Sequence, residues 1–354
     1  MSRIGFLDGH RGLAIMLVLL YHAFTRWAAV VPYGGQFANF PFFKYGWLGV
    51  NLFFLISGFV ILMTLESCSS AKTFLARRWL WLFPAMLICS LIIYGTSGFF
   101  PERPAGEPTP LSLLPGLTFI EPAWWSALTG YRVLPLEDAF WSLFVEFKFY
   151  VFAAVVYYWR GRNVLFVALL SAFALNLLSA AARSQGSGLV SVAVNDLSNA
   201  LSFDNFGWFA SGAAFYVFHK TRERRWLWFG LGVALVSPLG FHQQTVPRFL
   251  AAAAMSLLFA ATLVYPSLRI PLNARLFQFL GLVSYPLYLM HENLMTAMVI
   301  KAGREAAFIP RWALPFMAIA GLVALAYLIV RHAEPRVRAV LSQAFTRRVA
   351  AAQA

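Results

Sequence analysis

The residues of this chain best suited to chemistry are an arginine and a histidine on its first apolar segment, Arg11 and His22. On an α-helix this spacing places both side chains on one face, about 20° apart around the axis and about 16 Å apart along it. Ionisable side chains within lipid-spanning segments are costly and normally face a protein interior or a polar cavity. The pair therefore predicts a functional stripe. The alternative is that Arg11 anchors the helix at the membrane surface and His22 is a packing residue.

The composition places this stripe in a membrane protein. Of the 354 residues, 60% are hydrophobic and only 12% are charged. The mean hydropathy is +0.68, which is beyond the mixture of a soluble domain. The formal net charge is +14, but the charges lie between apolar runs and not on one basic face, which argues against nucleic acid as a partner. The two cysteines, Cys68 and Cys89, suggest neither a disulfide framework nor a metal site.

Ten apolar segments are candidate membrane spans, because about 20 residues cross a hydrocarbon core about 30 Å thick. They predict an all-α, polytopic bundle of membrane helices. Of the 28 lysines and arginines, about two thirds fall in loops on the side of the N-terminus, and this bias predicts that both termini are cytoplasmic. The predicted spans are 10–31, 46–65, 79–99, 139–159, 164–182, 203–218, 226–241, 249–265, 276–300 and 313–331.

The chain is predicted to form one membrane domain over residues 1–354, without an appended soluble domain or an internal repeat. The first helix is expected to be retained, because its apolar run is longer than that of a cleavable signal. One long polar insertion, 100–138, is predicted on the outer side, where its prolines are expected to keep it away from regular helix. This loop is either part of an entrance for an outer-side substrate or a passive connector.

Two motifs open the second and third spans. Asn51 and Ser57 lie among small and apolar residues, a pattern that permits close approach of helices. Arg77 and Arg78 precede two tryptophans. Paired guanidinium groups in such a setting could bind a phosphorylated ligand through charge-assisted hydrogen bonds and stacking, or they could anchor the segment at the membrane interface.

Two further motifs place titratable groups inside predicted spans. Glu146 and Lys148 are two residues apart, so they point to different faces of a helix and need not pair with each other. At least one of them is expected to face a polar cavity. Tyr288 and His291 lie in the ninth span, where His291 is followed directly by Glu292. They predict either a helix-stabilising network or part of a catalytic site.

Taken together, these motifs resemble those of the membrane acyltransferase-3 family, the integral-membrane O-acyltransferases. His22 follows Arg11 in an Arg-x10-His arrangement. The other matching segments are Leu7-Asp8-Gly9-His10-Arg11-Gly12, Gly49-Val50-Asn51-Leu52-Phe53-Phe54, Trp141-Ser142-Leu143 with Glu146, and Ser284-Tyr285 with His291. Trp81, Asn51 and Lys148 stand where many members of the family carry arginine, aspartate and glutamine, respectively.

The resemblance implies an enzyme of the bacterial cytoplasmic membrane that uses acyl-coenzyme A and no metal. It implies transfer of an acyl group, commonly acetyl, from the cytoplasmic donor to a hydroxyl of an envelope glycan or a small molecule. By the same resemblance, His22 is the catalytic histidine, Arg11 is its motif partner and Glu146 is a site carboxylate. Arg77 and Arg78 are implied to lie on the coenzyme A side.

Five further residues are expected to support the acceptor or the structure of the site: Asn51, Trp141, Lys148, Tyr288 and His291.

Two other functions are compatible with charges inside apolar helices. A secondary transporter also carries charges near the middle of the membrane, but it often shows related halves, and none are found in this sequence. A non-catalytic partner in polysaccharide export could retain the motifs without turnover.

Overall fold

The computed structural model describes residues 4–184, 189–241 and 243–351, and every regular element within these ranges is helical. The longer helices are numbered here in chain order. They are α1 Gly5–Tyr21, α2 Leu48–Ser67, α3 Ala71–Gly95, α4 Trp141–Ser184, α5 Leu189–Ala200, α6 Phe206–Thr221, α7 Arg224–Val236, α8 Val246–Val264, α9 Arg275–Met290, α10 Asn293–Glu305, α11 Leu314–Leu328 and α12 Glu334–Ala351.

Five helical segments among the described residues are long and apolar enough to cross a membrane, judged by length and composition alone. They are Leu48–Ser67, Ala71–Gly95, Asp138–Ser184, Val246–Val264 and Arg311–Ala344.

The predicted span 164–182 falls within α4, and the span 139–159 does so except for residues 139 and 140, which belong to the short 3-10 turn before it. This helix is interrupted at Gly161, where φ is +81° and ψ is −174°. Glycine adopts such a conformation readily because it has no Cβ.

The predicted spans differ most from the observed helices at 276–300 and at 10–31. The span 276–300 is wrong as a continuous helix, because α9 ends at Met290 and α10 begins at Asn293. Pro286 lies inside α9 without ending it. The span 10–31 is also too long: α1 ends at Tyr21 and continues only as a π-helical turn over His22–Arg26.

The prediction that 100–138 lacks regular helix is wrong in part. This segment contains two short helices, Leu113–Thr118 and Pro122–Thr129. Pro122 occupies the first turn of its helix, where a missing N–H group removes no hydrogen bond. A proline can therefore begin a helix as well as prevent one.

The chain divides into two compact units, and α1, α3, α4 and α9 each contribute to both. The first unit covers the described parts of 4–14, 47–75 and 145–278. Within it, a Cβ placed on Gly58 of α2 would lie 2.1 Å from the carbonyl oxygen of Phe209 in α6. Small residues thus let these two helices approach to backbone contact.

The second unit covers the described parts of 15–46, 76–144 and 279–351. Its buried apolar side chains include Met86 of α3, Phe140 and Leu287 of α9. This unit contains the end of α1 and the break between α9 and α10.

Candidate active site

His22 begins the π-helical turn at the end of α1 and belongs to the second unit. Its side chain is buried, and its Nδ1 atom lies 2.9 Å from the carbonyl oxygen of Val18. The same Nδ1 atom lies 3.2 Å from Nε2 of His291. The two imidazole rings meet edge to face, with centroids 4.5 Å apart. The structure therefore brings together two of the residues that the sequence singled out.

Two backbone carbonyls determine which nitrogen of each ring carries the proton. Nδ1 of His291 lies 2.6 Å from the carbonyl oxygen of Tyr288. In the same way, Nδ1 of His22 lies 2.9 Å from the carbonyl oxygen of Val18. Because a carbonyl can only accept, each Nδ1 must be the donor. The one Nδ1–H of His22 is then shared between the carbonyl oxygen of Val18 and the Nε2 lone pair of His291, and in this tautomer Nε2 of His22 carries a lone pair.

Glu292 faces this available nitrogen. Its Oε1 atom lies 3.6 Å from Nε2 of His22 and 3.9 Å from Nε of Arg26. The carboxyl group is almost fully buried, and Oε2 makes no hydrogen bond to any described residue. His22 is thus flanked by His291 at Nδ1 and by Glu292 at Nε2.

Tyr288 links His291 to the start of α4. Its hydroxyl donates to the carbonyl oxygen of Ala139 at 3.1 Å and lies 2.7 Å from Oγ of Ser142. Trp141, next to Ser142, is 47% exposed. The hydroxyl of Tyr288 is therefore part of a buried hydrogen-bond network with the start of α4, whereas the side chain of Trp141 is exposed.

A second buried carboxyl group, Glu137, lies at the break between α9 and α10. It accepts hydrogen bonds from the backbone N–H groups of Asn293 and Leu294. Nη2 of Arg103 lies 3.6 Å from Oε1 of Glu137. Burial raises the pKa of Glu137 to about 7, against the opposing effects of Arg103 and the two N–H groups.

Glu146 and Lys148 belong to the first unit and have separate partners, in agreement with their predicted faces. Glu146 accepts hydrogen bonds from the hydroxyl groups of Ser57 and Tyr150. Lys148 donates to the carbonyl oxygen of Ala200 at 2.7 Å and to Oγ of Ser202 at 2.8 Å. The ammonium group of Lys148 thus joins α4 to the end of α5.

The remaining predicted site residues of the first unit are Asn51 and Arg11. Asn51 is buried within α2, and Arg11 is half-buried within α1.

Arg77 and Arg78 lie in the part of α3 that belongs to the second unit. Arg77 is exposed and Arg78 is buried. The guanidinium carbon of Arg78 lies 5.4 Å from the ring centroid of Trp81, a cation–π distance. The indole of Trp81 in turn stacks on Tyr285 at 5.4 Å.

Sequence reasoning missed Glu292, Glu137 and Arg103 as members of the site. Glu292 was noticed as a titratable residue, but on a continuous helix it would diverge from His291 by about 100° and could not share its partner. Glu137 and Arg103 lie in the polar insertion, where charged residues are common. Their burial was the only available signal, and burial is a property of the fold.

The described residues contain no group of three or more histidine, cysteine, aspartate or glutamate side chains that could hold a metal ion.

The chain matches the acyltransferase-3 family, described as an acyltransferase domain, over residues 4–331, and it belongs to this family. It is similar to the putative O-acetyltransferase SACOL0978 of Staphylococcus aureus strain COL, with 26% identity over 167 residues, or 44% of this chain and 25% of the relative. It is also similar to the peptidoglycan O-acetyltransferase OatA of Listeria monocytogenes, with 28% identity over 162 residues, or 41% of this chain and 22% of the relative.

The matched region thus spans about a quarter of the length of these curated relatives. No solved structure matches the chain at a significant level.

Proposed function

We propose that this protein is a membrane O-acyltransferase that moves an acyl group, in the simplest case acetyl, from cytoplasmic acyl-coenzyme A to a hydroxyl acceptor. An envelope glycan is the acceptor class suggested by the relative that is named a peptidoglycan O-acetyltransferase. A small-molecule acceptor is the alternative. The observation that carries the proposal is the buried His22 imidazole, whose Nδ1 is engaged and whose Nε2 is available as a base.

The proposed reaction needs a base because an unactivated alcohol is a weak nucleophile. Nε2 of His22 takes the proton of the acceptor hydroxyl while the hydroxyl oxygen attacks the thioester carbonyl carbon. The tetrahedral intermediate then expels the sulfur of coenzyme A, and the imidazolium returns the proton to that sulfur. A positioned base of this kind contributes about 10²–10⁴-fold in rate. An acyl-histidine intermediate would use the same nitrogen as the nucleophile.

The donor is proposed to bind through its phosphates to Arg77 and Arg78. Guanidinium groups pair with phosphate in a planar, bidentate manner, and the indole of Trp81 beside Arg78 offers a stacking surface. Arg11 and Glu146 are proposed as further site residues, with Glu146 orienting the acceptor. The acceptor is proposed to enter from the outer side, near the 100–138 loop.

The proposed architecture is a single membrane domain over 1–354 with ten spans and both termini in the cytoplasm. Spans that fall short of a full crossing, such as α7 and α10, are proposed to cross together with the elements that follow or precede them. The proposed location is the bacterial cytoplasmic membrane.

The test uses the full chain in native-like membrane vesicles supplied with acetyl-coenzyme A labelled in its acetyl group. We expect His22→Ala to abolish both thiol release and transfer of label to envelope glycans while the protein still inserts. His10→Leu is the matched control. His10 is also buried on α1 and also has its Nδ1 atom near an i−4 carbonyl, 2.8 Å from that of Phe6, but its ring packs against Phe259.

Each outcome separates the competing functions. Thiol release that requires His22 and tolerates His10→Leu supports the enzyme. An inserted His22→Ala variant with full activity would refute the assignment of the base. A wild-type protein that consumes no thioester but alters transport of a polysaccharide or a small molecule would favour an export partner or a transporter.

A further inference from the structure

The break between α9 and α10 lets two consecutive residues contact the same imidazole. On a continuous helix, His291 and Glu292 would point about 100° apart. Here Nε2 of His291 lies 3.2 Å from Nδ1 of His22, and Oε1 of Glu292 lies 3.6 Å from Nε2 of His22. The backbone of Glu292 leaves the helical region, with φ −95° and ψ −85°. The flanking of His22 on both sides therefore depends on this break.

The backbone N–H groups in the first turn of α10 donate hydrogen bonds to a side chain that lies outside the helix. The first N–H groups of a helix have no intrahelical acceptor, and the residue at the N-cap commonly supplies one from its own side chain. Glu292 occupies this position and makes no such hydrogen bond. The carboxylate of Glu137 accepts from the N–H groups of Asn293 and Leu294 in its place. The carboxyl group of Glu292 takes no part in the cap and faces His22 instead.

Glu137 is itself held in one position. It is fully buried, and Nη2 of Arg103 lies 3.6 Å from its Oε1 atom while donating to the carbonyl oxygen of Leu136. Two residues further along, the backbone N–H of Ala105 donates to Oδ1 of Asn293 at 3.1 Å. The start of the 100–138 insertion thus fixes both Glu137 and the first residue of α10.

We infer that Glu137 is a positioning residue for the acyl transfer proposed above: by capping α10 in place of Glu292, it holds Glu292 and His291 against His22. The inference rests on the proposed function. Glu137 does not contact His22, so its effect on turnover passes through Glu292 and His291.

The test substitutes Glu137→Gln in the full chain. Glutamine keeps one acceptor oxygen but turns an NH2 group toward one of the two N–H groups of α10, which displaces the cap. Misplacement of catalytic groups by about 1 Å can cost about 10²-fold in rate. We therefore expect kcat for thiol release to fall by about that factor, with little change in KM for acetyl-coenzyme A.

A double-mutant cycle separates positioning from a loss of stability. If Glu137 acts through Glu292, the change Glu137→Gln should lower kcat far less in a Glu292→Gln background than in the wild type. A purely structural role would lower activity and thermal stability by the same factor in both backgrounds, and that result would overturn the inference. If Glu137→Gln does not insert, Glu137→Asp retains the charge opposite Arg103 and must show the same non-additivity.

The matched control is Glu102→Gln. Glu102 is a largely buried carboxylate of the same insertion, and it contacts Arg304 near the other end of α10. We expect this variant to retain wild-type kcat. An active wild type, an inactive His22→Ala and a fully active Glu137→Gln would refute this inference alone. A wild type without thioester consumption would refute the proposed function instead.

Discussion

Nδ1 of His22 and Nε2 of His291 lie 3.2 Å apart, although the two residues are separated by 269 positions in the chain. The contact orients the ring of His22 from the side opposite to the atom that would take a proton. The carbonyl of Tyr288 keeps the proton of His291 on Nδ1, so Nε2 of His291 acts as an acceptor in this contact. The geometry of this pair is closer to that of a base with an orienting partner than to that of a pair of independent packing residues.

Replacing His291 should therefore reduce turnover without removing the base. We expect His291→Phe, which keeps an aromatic ring but has no acceptor nitrogen, to lower kcat by about 10–10²-fold because His22 can then rotate away from its productive orientation. The KM for acetyl-coenzyme A should stay near the wild-type value. Steady-state thiol release measures both quantities, and a variant with unchanged kcat would show that the contact has no catalytic role.

Arg78 should be more important than Arg77 for the donor, because its guanidinium group is buried against Trp81. Lysine cannot reproduce bidentate pairing with phosphate. A charge-assisted hydrogen bond contributes about 1.5–3 kcal/mol, so Arg78→Lys should raise the KM for acetyl-coenzyme A by about tenfold or more. Arg77→Lys is the paired comparison. A change in acceptor affinity with donor affinity intact would mean that the site binds the other substrate.

Glu146 is expected to act on the acceptor side. Glu146→Gln replaces the carboxyl group that accepts hydrogen bonds from Ser57 and Tyr150. We expect this variant to lower acceptor turnover by about tenfold or more, while the KM for the donor is retained. Ser57→Ala removes only one of the two donors and should cost less. If both variants lose thermal stability and neither alters turnover, the carboxylate has a structural role only.

Gly58 should tolerate no side chain. A Cβ at this position would meet the carbonyl oxygen of Phe209 at 2.1 Å, and one at Gly212 would meet that of Leu55 at 2.0 Å. Backbone atoms cannot give way cheaply, so Gly58→Ala should lower the melting temperature in detergent by several degrees or prevent folding. Gly232 of α7 has no atom within 4 Å of the corresponding Cβ position. Gly232→Ala should keep or slightly raise stability, since alanine favours helix by about 0.5–1 kcal/mol.

We expect His219 to make the stability of the first unit depend on pH. It lies at the end of α6, outside the predicted spans, where its ring packs near Phe6 and Phe59. Burial, with Arg222 and Arg269 nearby, lowers its pKa below 6.5. In the folded protein the ring resists protonation, so its contribution is fully present above pH 6.5 and is lost as the pH falls through the lower folded value. Melting temperature measured between pH 8 and 5 should decrease, and less so for His219→Phe.

The sequence predicted the all-helical class and several long apolar helices well, because a span depends on local composition. The position at which α9 ends was harder to predict from the sequence. Pro286 is the obvious helix breaker in the ninth predicted span, yet the helix continues past it and stops at Met290. At the break, the carboxyl group of Glu137 accepts a hydrogen bond from the N–H of Asn293, although the two residues are 156 positions apart in the chain. No local pattern around His291 encodes that partner.

The histidines of α1 illustrate the same limit at the site. His10 and His22 each place Nδ1 near the carbonyl four residues earlier, so they share this local contact, although His10 lies within α1 and His22 begins the π-helical turn. Their tertiary neighbours differ: Phe259 packs on His10, whereas His291 and Glu292 face His22. The motif resemblance points to His22 and not to His10, but it does not supply Glu292, because the contact of Glu292 with His22 involves a break in the helix.

Gly161 also has a consequence for the insertion of α4 into a membrane. A continuous helix of 44 residues would be about 66 Å long, roughly twice the thickness of the hydrocarbon core. The interruption divides it into segments 141–160 and 162–184, each of which matches the length of a single membrane crossing. With Arg160 and Arg162 on either side of the glycine, the chain presents two apolar stretches separated by two charges, and each stretch is long enough to insert into a membrane by itself.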